Sequence, residues 1–189
     1  MANSVKGLDA RQALVRAAKE LLPDRAPSSV TGRELATKAG VNYGLVHHYF
    51  GGKEAVFREA LLELRTEFLE SHVEHDLPNL VIEPENPYLR AIGRSQLDYP
   101  NELPLDGDFP IGDAMVVAVR ERVAAANPTW TAAEIDVEAR ARALAMLCLQ
   151  LGYGLYQEMA LATVGVKRAQ RASVEQALGR LYRAITARR

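Results

Sequence analysis

The sequence predicts an all-α protein on three observations. No stretch alternates apolar and polar residues over the length of a strand. Apolar residues recur instead at three- and four-residue intervals. Ser, Thr or Asp stands three residues ahead of Glu or Gln at Asp9/Gln12, Thr31/Glu34, Thr131/Glu134 and Ser173/Gln176, the reciprocal pattern that opens helices because each side chain satisfies a free amide of the other residue. No internal repeat or low-complexity tract interrupts the series. The expected organisation is a small three-helix unit over residues 1–52, followed by a larger helical body over residues 53–189.

Residues 1–8 read as a flexible start. Asp9 then opens a helix whose apolar positions are Ala10, Ala13, Leu14, Ala17, Ala18, Leu21 and Leu22, ended by Pro23. Pro23 to Ser29 is a connecting turn. Thr31 and Glu34 cap a second helix with Leu35, Ala36 and Ala39 on its face, and Gly40 ends it. Asn42 is the expected N-cap of a third, carrying Tyr43, Gly44, Leu45, Val46, His47 and His48 and broken at Gly51-Gly52. Two helices joined by so few residues cross steeply, which lets the second lie in a DNA major groove. The first helix is expected to pack behind the pair. Val41, Leu45 or Val46 should serve packing, and Phe50 should plug the small core under Leu14 and Leu35.

From Lys53 a long helix should run to about His75, with Val56, Phe57, Ala60, Leu61, Leu64 and Phe68 on one face and no linker before it. Three prolines mark 77–87 as loop. Tyr88 to Tyr99 reads as a short helix, and 100–110 as irregular. Ile111 to Ala126 is helical and stops at Asn127-Pro128. Thr131 and Glu134 open a helix reaching about Val164, whose centre, Leu144 to Leu155, is apolar nearly all round and so should be buried against several neighbours. The last helix starts at Ser173, or near Lys167 with Ser173 as a late cap. Its stripe is Val174, Leu178, Leu181, Tyr182 and Ile185.

The net charge of −1 hides an uneven distribution. Residues 1–60 hold nine Lys and Arg against six Asp and Glu, a local +3, with His47 and His48 in addition, whereas residues 61–100 hold three against eight, a local −5. Attraction to phosphate is therefore confined to one end of the chain. The single cysteine, Cys148, excludes an intramolecular disulfide and suits a reducing compartment. No apolar signal segment is visible. The uncharged run from Ala143 to Gln157 is fifteen residues, short of the roughly 20 a membrane span needs. A cytoplasmic protein without membrane attachment is expected.

Thr31 and Arg33 open the second helix, and Asn42, Tyr43 and Gly44 open the third. Gly44 leaves the backbone free to approach a groove closely, Tyr43 can reach a base edge, and His47, His48 and Tyr49 stand toward the far end. Lys53 begins the next helix, where ammonium and backbone amides both favour an anion. These nine residues are the candidate DNA contacts. The run TGRELATKAGVNYGLVHHYFGGKEAVF from Thr31 resembles the TetR family of bacterial transcription regulators, through Thr31, Leu35, Ala36, Ala39, Gly40, Val41, Gly44, Val46, Tyr49, Phe50, Lys53, Glu54 and Val56. It departs from the family pattern at Leu45, where Thr is common, and at His47, where Tyr is common. The resemblance is specific over residues 9–60.

That resemblance implies a small-molecule site in the C-terminal body and pairing of two chains through the last two helices. For the first, Met146, Gln150, Tyr153, Tyr156 and Gln157 are the candidates, in an environment mostly apolar with a few orienting amides and hydroxyls. For the second, Leu178, Leu181, Tyr182 and Ile185 are. Other chemistry finds little support. His72 and His75 are spaced for one divalent cation, yet no third ligand is identified and an acidic, solvated helix end accounts for them. Gly152-Tyr153-Gly154 lacks the third glycine, strand and ribose-binding acid of a phosphate loop. Cys148 has no nearby cation to activate it, and no nucleophile or acid-base constellation is present. No cofactor, metal or enzymatic activity is implied.

The expected function is that of a homodimeric regulator, a repressor, that binds a palindromic operator in double-stranded DNA and is released by a small apolar effector. The two heads of such a pair should lie about 34–36 Å apart. The competing reading is a small-molecule or metal-binding helical protein in which the helix-turn-helix is only structural.

Overall fold

The computed structural model describes residues 2–73, 83–98 and 110–186. Among these there are eight α-helices and no strand: α1 (Ala2–Leu21), α2 (Gly32–Ala39), α3 (Gly44–Phe50), α4 (Lys53–Val73), α5 (Pro87–Asp98), α6 (Pro110–Ala126), α7 (Ala132–Thr163) and α8 (Arg171–Thr186), with short 3-10 turns at Pro27–Ser29 and Arg168–Gln170. The all-α expectation holds. α1 is longer than its sequence signals suggest: the backbone is helical from Ala2, so Asp9 lies inside the helix and caps nothing. The loops expected at 77–87 and 100–110 fall mostly outside the described residues.

The chain divides into two compact units, one formed by Met1–Phe68 and Asn86–Pro104, the other by Leu69–Glu85 and Leu105–Arg189. The division differs from the boundary expected between residues 52 and 53. Most of α4, together with α5, belongs to the head, because a pair of short helices buries too little apolar surface alone. Leu14, Val15, Ala18, Leu22, Val30, Leu35, Val46, Val56, Phe57 and Ala60 are sealed from solvent in one core. Each large aliphatic among them contributes roughly 1.5–3 kcal/mol through the water it excludes. The expected face of α4 is the buried one, continuing through Leu61, Leu64 and Phe68. The fully buried phenylalanine of this region is Phe57, which is 1% exposed. Phe50 is only half-buried and lies under the Arg11 guanidinium, 4.9 Å from its ring centroid.

Polar straps complete the head. Lys19 pairs with Glu63 and Glu67, and Arg11 with Glu59, tying α1 to α4. On α5, capped by the Asn86 carboxamide, Arg90 and Arg94 both donate to the Pro23 carbonyl, at 3.1 and 2.8 Å. The Ser28 hydroxyl donates to Asp98 at 2.7 Å. The turn leading into α2 is thereby held at both of its ends.

In the second unit α6, α7 and α8 close around Met115, Val119, Val123, Ala139, Ala143, Met146 and Tyr182, with Val116, Ile135, Leu149 and Ile185 packed at the edge. Thr131 and Glu134 form the expected reciprocal cap. α8 begins at Arg171 after the 3-10 turn, so Ser173 sits within its first turn, as in the second of the two starts read from the sequence. Two expectations are corrected here. The centre of α7 is not buried on all sides: Leu144 is 61% exposed and Cys148 is exposed, because α6 and α8 cover only one side of the helix. Nor do the four residues on α8 form one outward stripe. Tyr182 is 1% exposed inside its own chain's core, Ile185 packs beside it, and Leu178 is half-buried, which leaves Leu181 outward at 65%. Tyr182 lies one residue round the helix from Leu181, about 100° away, so one of the two must face inward.

Candidate nucleic-acid interface

The α2–turn–α3 segment is built from its caps. The Thr31 hydroxyl accepts from the Glu34 amide at 3.1 Å, and the Glu34 carboxylate accepts from the Thr31 amide at 2.8 Å. Arg25 adds an ion pair to the same carboxylate at 3.1 Å. The Thr31 amide, then Arg25 and the Thr31 hydroxyl, hold the Glu34 carboxyl at about 2. α2 ends at Gly40 in the left-handed region, φ 68°, where a side chain would be strained, and the Val41 amide returns to the Ala36 carbonyl at 3.0 Å.

α3 starts two residues later than its expected cap. The Asn42 carboxamide still does the capping chemistry, accepting from the Gly44 amide at 2.8 Å, while Tyr43 occupies the boundary position in helical conformation. Val46 points into the core with no exposure, and the opposite face carries Tyr43, 40% exposed, with His47 and His48. Tyr49 is half-buried, its ring edge-on to His48 at 4.7 Å.

Tyr43 is held from three sides. Its ring lies over Gly32, where an added Cβ would sit 2.8 Å from the ring carbon Cε2. The Arg33 guanidinium stands 5.9 Å from the ring centroid. The Tyr43 hydroxyl is 2.9 Å from His47 Nε2, and His47 Nδ1 is 3.1 Å from the Gly51 carbonyl.

Of the nine candidate contacts, Thr31, Arg33, Asn42, Tyr43, Gly44, His47 and His48 are exposed, on α2, α3 and the residues that cap them. The Thr31 hydroxyl is largely committed to its cap. Lys53 departs from expectation: its ammonium is half-buried and donates to the Val30 and Pro27 carbonyls at 2.7 and 3.1 Å. Those carbonyls belong to the first residue of the 3-10 turn before α2 and to the residue that follows it, so Lys53 holds that turn instead of offering a free cation at the start of α4. Gly32 and Lys53's partners were not read from the sequence. A glycine at the first position of α2 carries no signal of the ring that will lie on it, and carbonyl partners leave no side-chain signature.

In the second unit, Met146, Gln150 and Gln157 share the inward face of α7 with Gly154, whose absent Cβ would lie 3.7 Å from the Pro84 carbonyl oxygen. Gln157 donates to Glu85 at 2.9 Å and accepts from Arg171 at 3.1 Å. Gln150 is 6% exposed, and its carbonyl oxygen has no partner among the described residues. The half-buried Tyr153 donates to Glu175 at 3.1 Å, and burial followed by that carboxylate raises its phenol above the ordinary value. Tyr156 is a correction: at 46% exposure it stands off the face that Gln150 and Gln157 share. The His72 and His75 side chains lie outside the described residues. Among the described residues no group of three or more His, Cys, Asp or Glu is placed to hold a metal ion, and no helix is long and apolar enough to cross a membrane.

The pattern that defines the bacterial regulatory proteins of the tetR family matches residues 14–60, which run from the core of α1 through α2 and α3 into α4. Through this head the chain is similar to the tetR family. It is similar over 175 residues, at 29% identity, to the HTH-type transcriptional repressor Rv3405c of Mycobacterium tuberculosis, covering 89% of this chain and 87% of that protein. The HTH-type transcriptional regulator Mb3439c of Mycobacterium bovis matches to the same extent. The HTH-type transcriptional regulator BetI of Rhizobium meliloti is 46% identical over 59 residues, 29% of each chain. The tetR-family match starts at Leu14 and so includes the helix behind the α2–α3 pair, in keeping with the shared core of Leu14, Leu35 and Val46.

Proposed function

We propose that the chain is a ligand-responsive transcriptional repressor that binds a palindromic operator as a homodimer and is released from it by a small, mostly apolar effector. The observation that carries this reading is the division of α3 into an inward Val46 and an outward face of Tyr43, His47 and His48 on a tetR-family head. That face can enter a major groove, with Arg33 and the opening of α2 against the flanking phosphates. The local +3 of residues 1–60 favours approach from that end.

Pairing of two chains is supported by apolar side chains that the monomer leaves in water. Val137, Leu144 and Met159 on α7 and Leu181 on α8 are 69, 61, 64 and 65% exposed, and such exposure on consecutive helices is what an interface between copies would cover. Effector binding is supported by Gln150, a buried carbonyl with no donor among the described residues, since such a group is costly unless something satisfies it. Release requires that the effector bind more tightly to a form of the pair whose heads miss successive grooves. α4, unbroken from Lys53 to Val73 across the division between the units, is the element to transmit it.

Selection of bound duplexes from a random pool, with sedimentation of the free protein, tests the proposal. A two-fold symmetric site and a dimer are expected. An unpaired protein, or a pool that never enriches, would overturn it.

A further inference from the structure

With a neutral imidazole, the Tyr43–His47–Gly51 chain runs its hydrogen bonds in one direction at the reading face. A carbonyl oxygen only accepts, so the contact of His47 Nδ1 with the Gly51 carbonyl at 3.1 Å puts the imidazole proton on Nδ1. Neutral imidazole then has a bare Nε2, and that nitrogen must accept from the Tyr43 hydroxyl 2.9 Å away. The phenol's one proton is thereby turned toward α3 itself. What Tyr43 has left for a partner in solvent is a lone pair. The ring cannot easily swing to change this, because Gly32 lies beneath it with no room for even a methyl group, the Arg33 guanidinium stands over it, and the His47 ring meets it edge-on at 5.2 Å.

We propose that Tyr43 reads DNA as a hydrogen-bond acceptor, selecting a base that presents an exocyclic amino group in the major groove, and that His47 is the positioning residue that sets this polarity. This rests on the DNA-binding function proposed above and adds its specificity. In the major groove the donors are cytosine N4 and adenine N6, whereas guanine N7 and O6 and thymine O4 only accept. Tyr43 held by His47 therefore favours cytosine or adenine at the position it faces in each half-site and disfavours guanine and thymine there. With one hydrogen bond at stake, the preference at that position is about three- to tenfold.

The test is selection from a random duplex pool with the full-length wild type, Tyr43→Phe and His47→Phe, each checked for an unchanged melting profile. The wild type should enrich cytosine or adenine at one position per half-site. Tyr43→Phe should lose preference there and nowhere else. His47→Phe removes the acceptor and frees the phenol proton to turn outward, so guanine or thymine should become tolerated at that same position. A duplex with purine replacing adenine there, lacking only the amino group, should weaken the wild type by the same three- to tenfold and leave Tyr43→Phe unaffected. Unchanged wild-type affinity for duplexes in which the amino group of the adenine or cytosine in the Tyr43-dependent pair has been removed would overturn the assignment, as would a His47→Phe preference identical to the wild type's. A wild type that enriches no sequence at all would instead sink the DNA-binding function beneath it, and the two failures are distinct.

Discussion

Replacing Lys53 with Met separates a fold contact from a DNA contact. Methionine keeps the length and apolar character of the stem and removes only the ammonium. Two hydrogen bonds disappear, to Val30 at 2.7 Å and Pro27 at 3.1 Å, and both carbonyls are left without their charged donor. A bond to a charged group contributes roughly 1.5–3 kcal/mol when dry, and the half-exposed site recovers part of that through water, so a loss of about 2 kcal/mol in urea unfolding is expected. The same variant should bind its selected operator with a salt dependence unchanged from the wild type, because a cation already held by two carbonyls releases no counterion from DNA. Urea titration and fluorescence anisotropy over a salt series supply the two readings. A slope that falls by about 0.9, with stability intact, would mean that Lys53 grips a phosphate and that the turn before α2 does not need it.

Acid should loosen α2 through its cap. The Glu34 carboxyl is lowered from 4.5 to about 2 in the folded chain, so its contribution is fully present above pH 4.5 and is lost as pH falls from there toward 2. Glu34→Gln should flatten that part of the stability profile in denaturant unfolding at stepped pH. Tyr182→Ala should destabilise the body by about 3–5 kcal/mol, as deletion of a buried aromatic does, whereas Leu181→Ala, one residue away, should leave the unfolding of a dilute monomer nearly unchanged. Equal losses would contradict the inward setting of Tyr182. Leu144→Glu should shift sedimentation from dimer to monomer without loss of helical signal, and a dimer that persists would remove α7 from the interface.

The head was the more legible half because its signals are local. Thr31 and Glu34 meet within one turn, and Gly40 ends a helix by its own backbone preference, so both could be read without knowing the fold. The buried face of α4 follows from spacing alone. Legibility failed where a residue's role depends on a distant partner. Lys53 reaches carbonyls 23 and 26 positions away, and Tyr43 is seated by Gly32 across the turn. Asp9 lost its capping role because helix propensity carried on upstream of it. In the body, periodicity identified apolar faces but could not say which neighbour covers each. Tyr182 and Leu181 therefore shared one stripe on paper and point to different sides in the fold. Gln150 and Gln157 share a buried face, but Tyr156, equally plausible by composition, does not.

Hydroxyl-radical footprinting of the wild type on its selected duplex tests most directly whether the outward face of α3 reads DNA. Two protected patches on one side of the helix are predicted, centred about one helical turn apart, and His48→Glu should erase both while leaving the fold intact. Uniform cleavage along every duplex that the selection yields, or protection that survives the charge at position 48, would contradict the account.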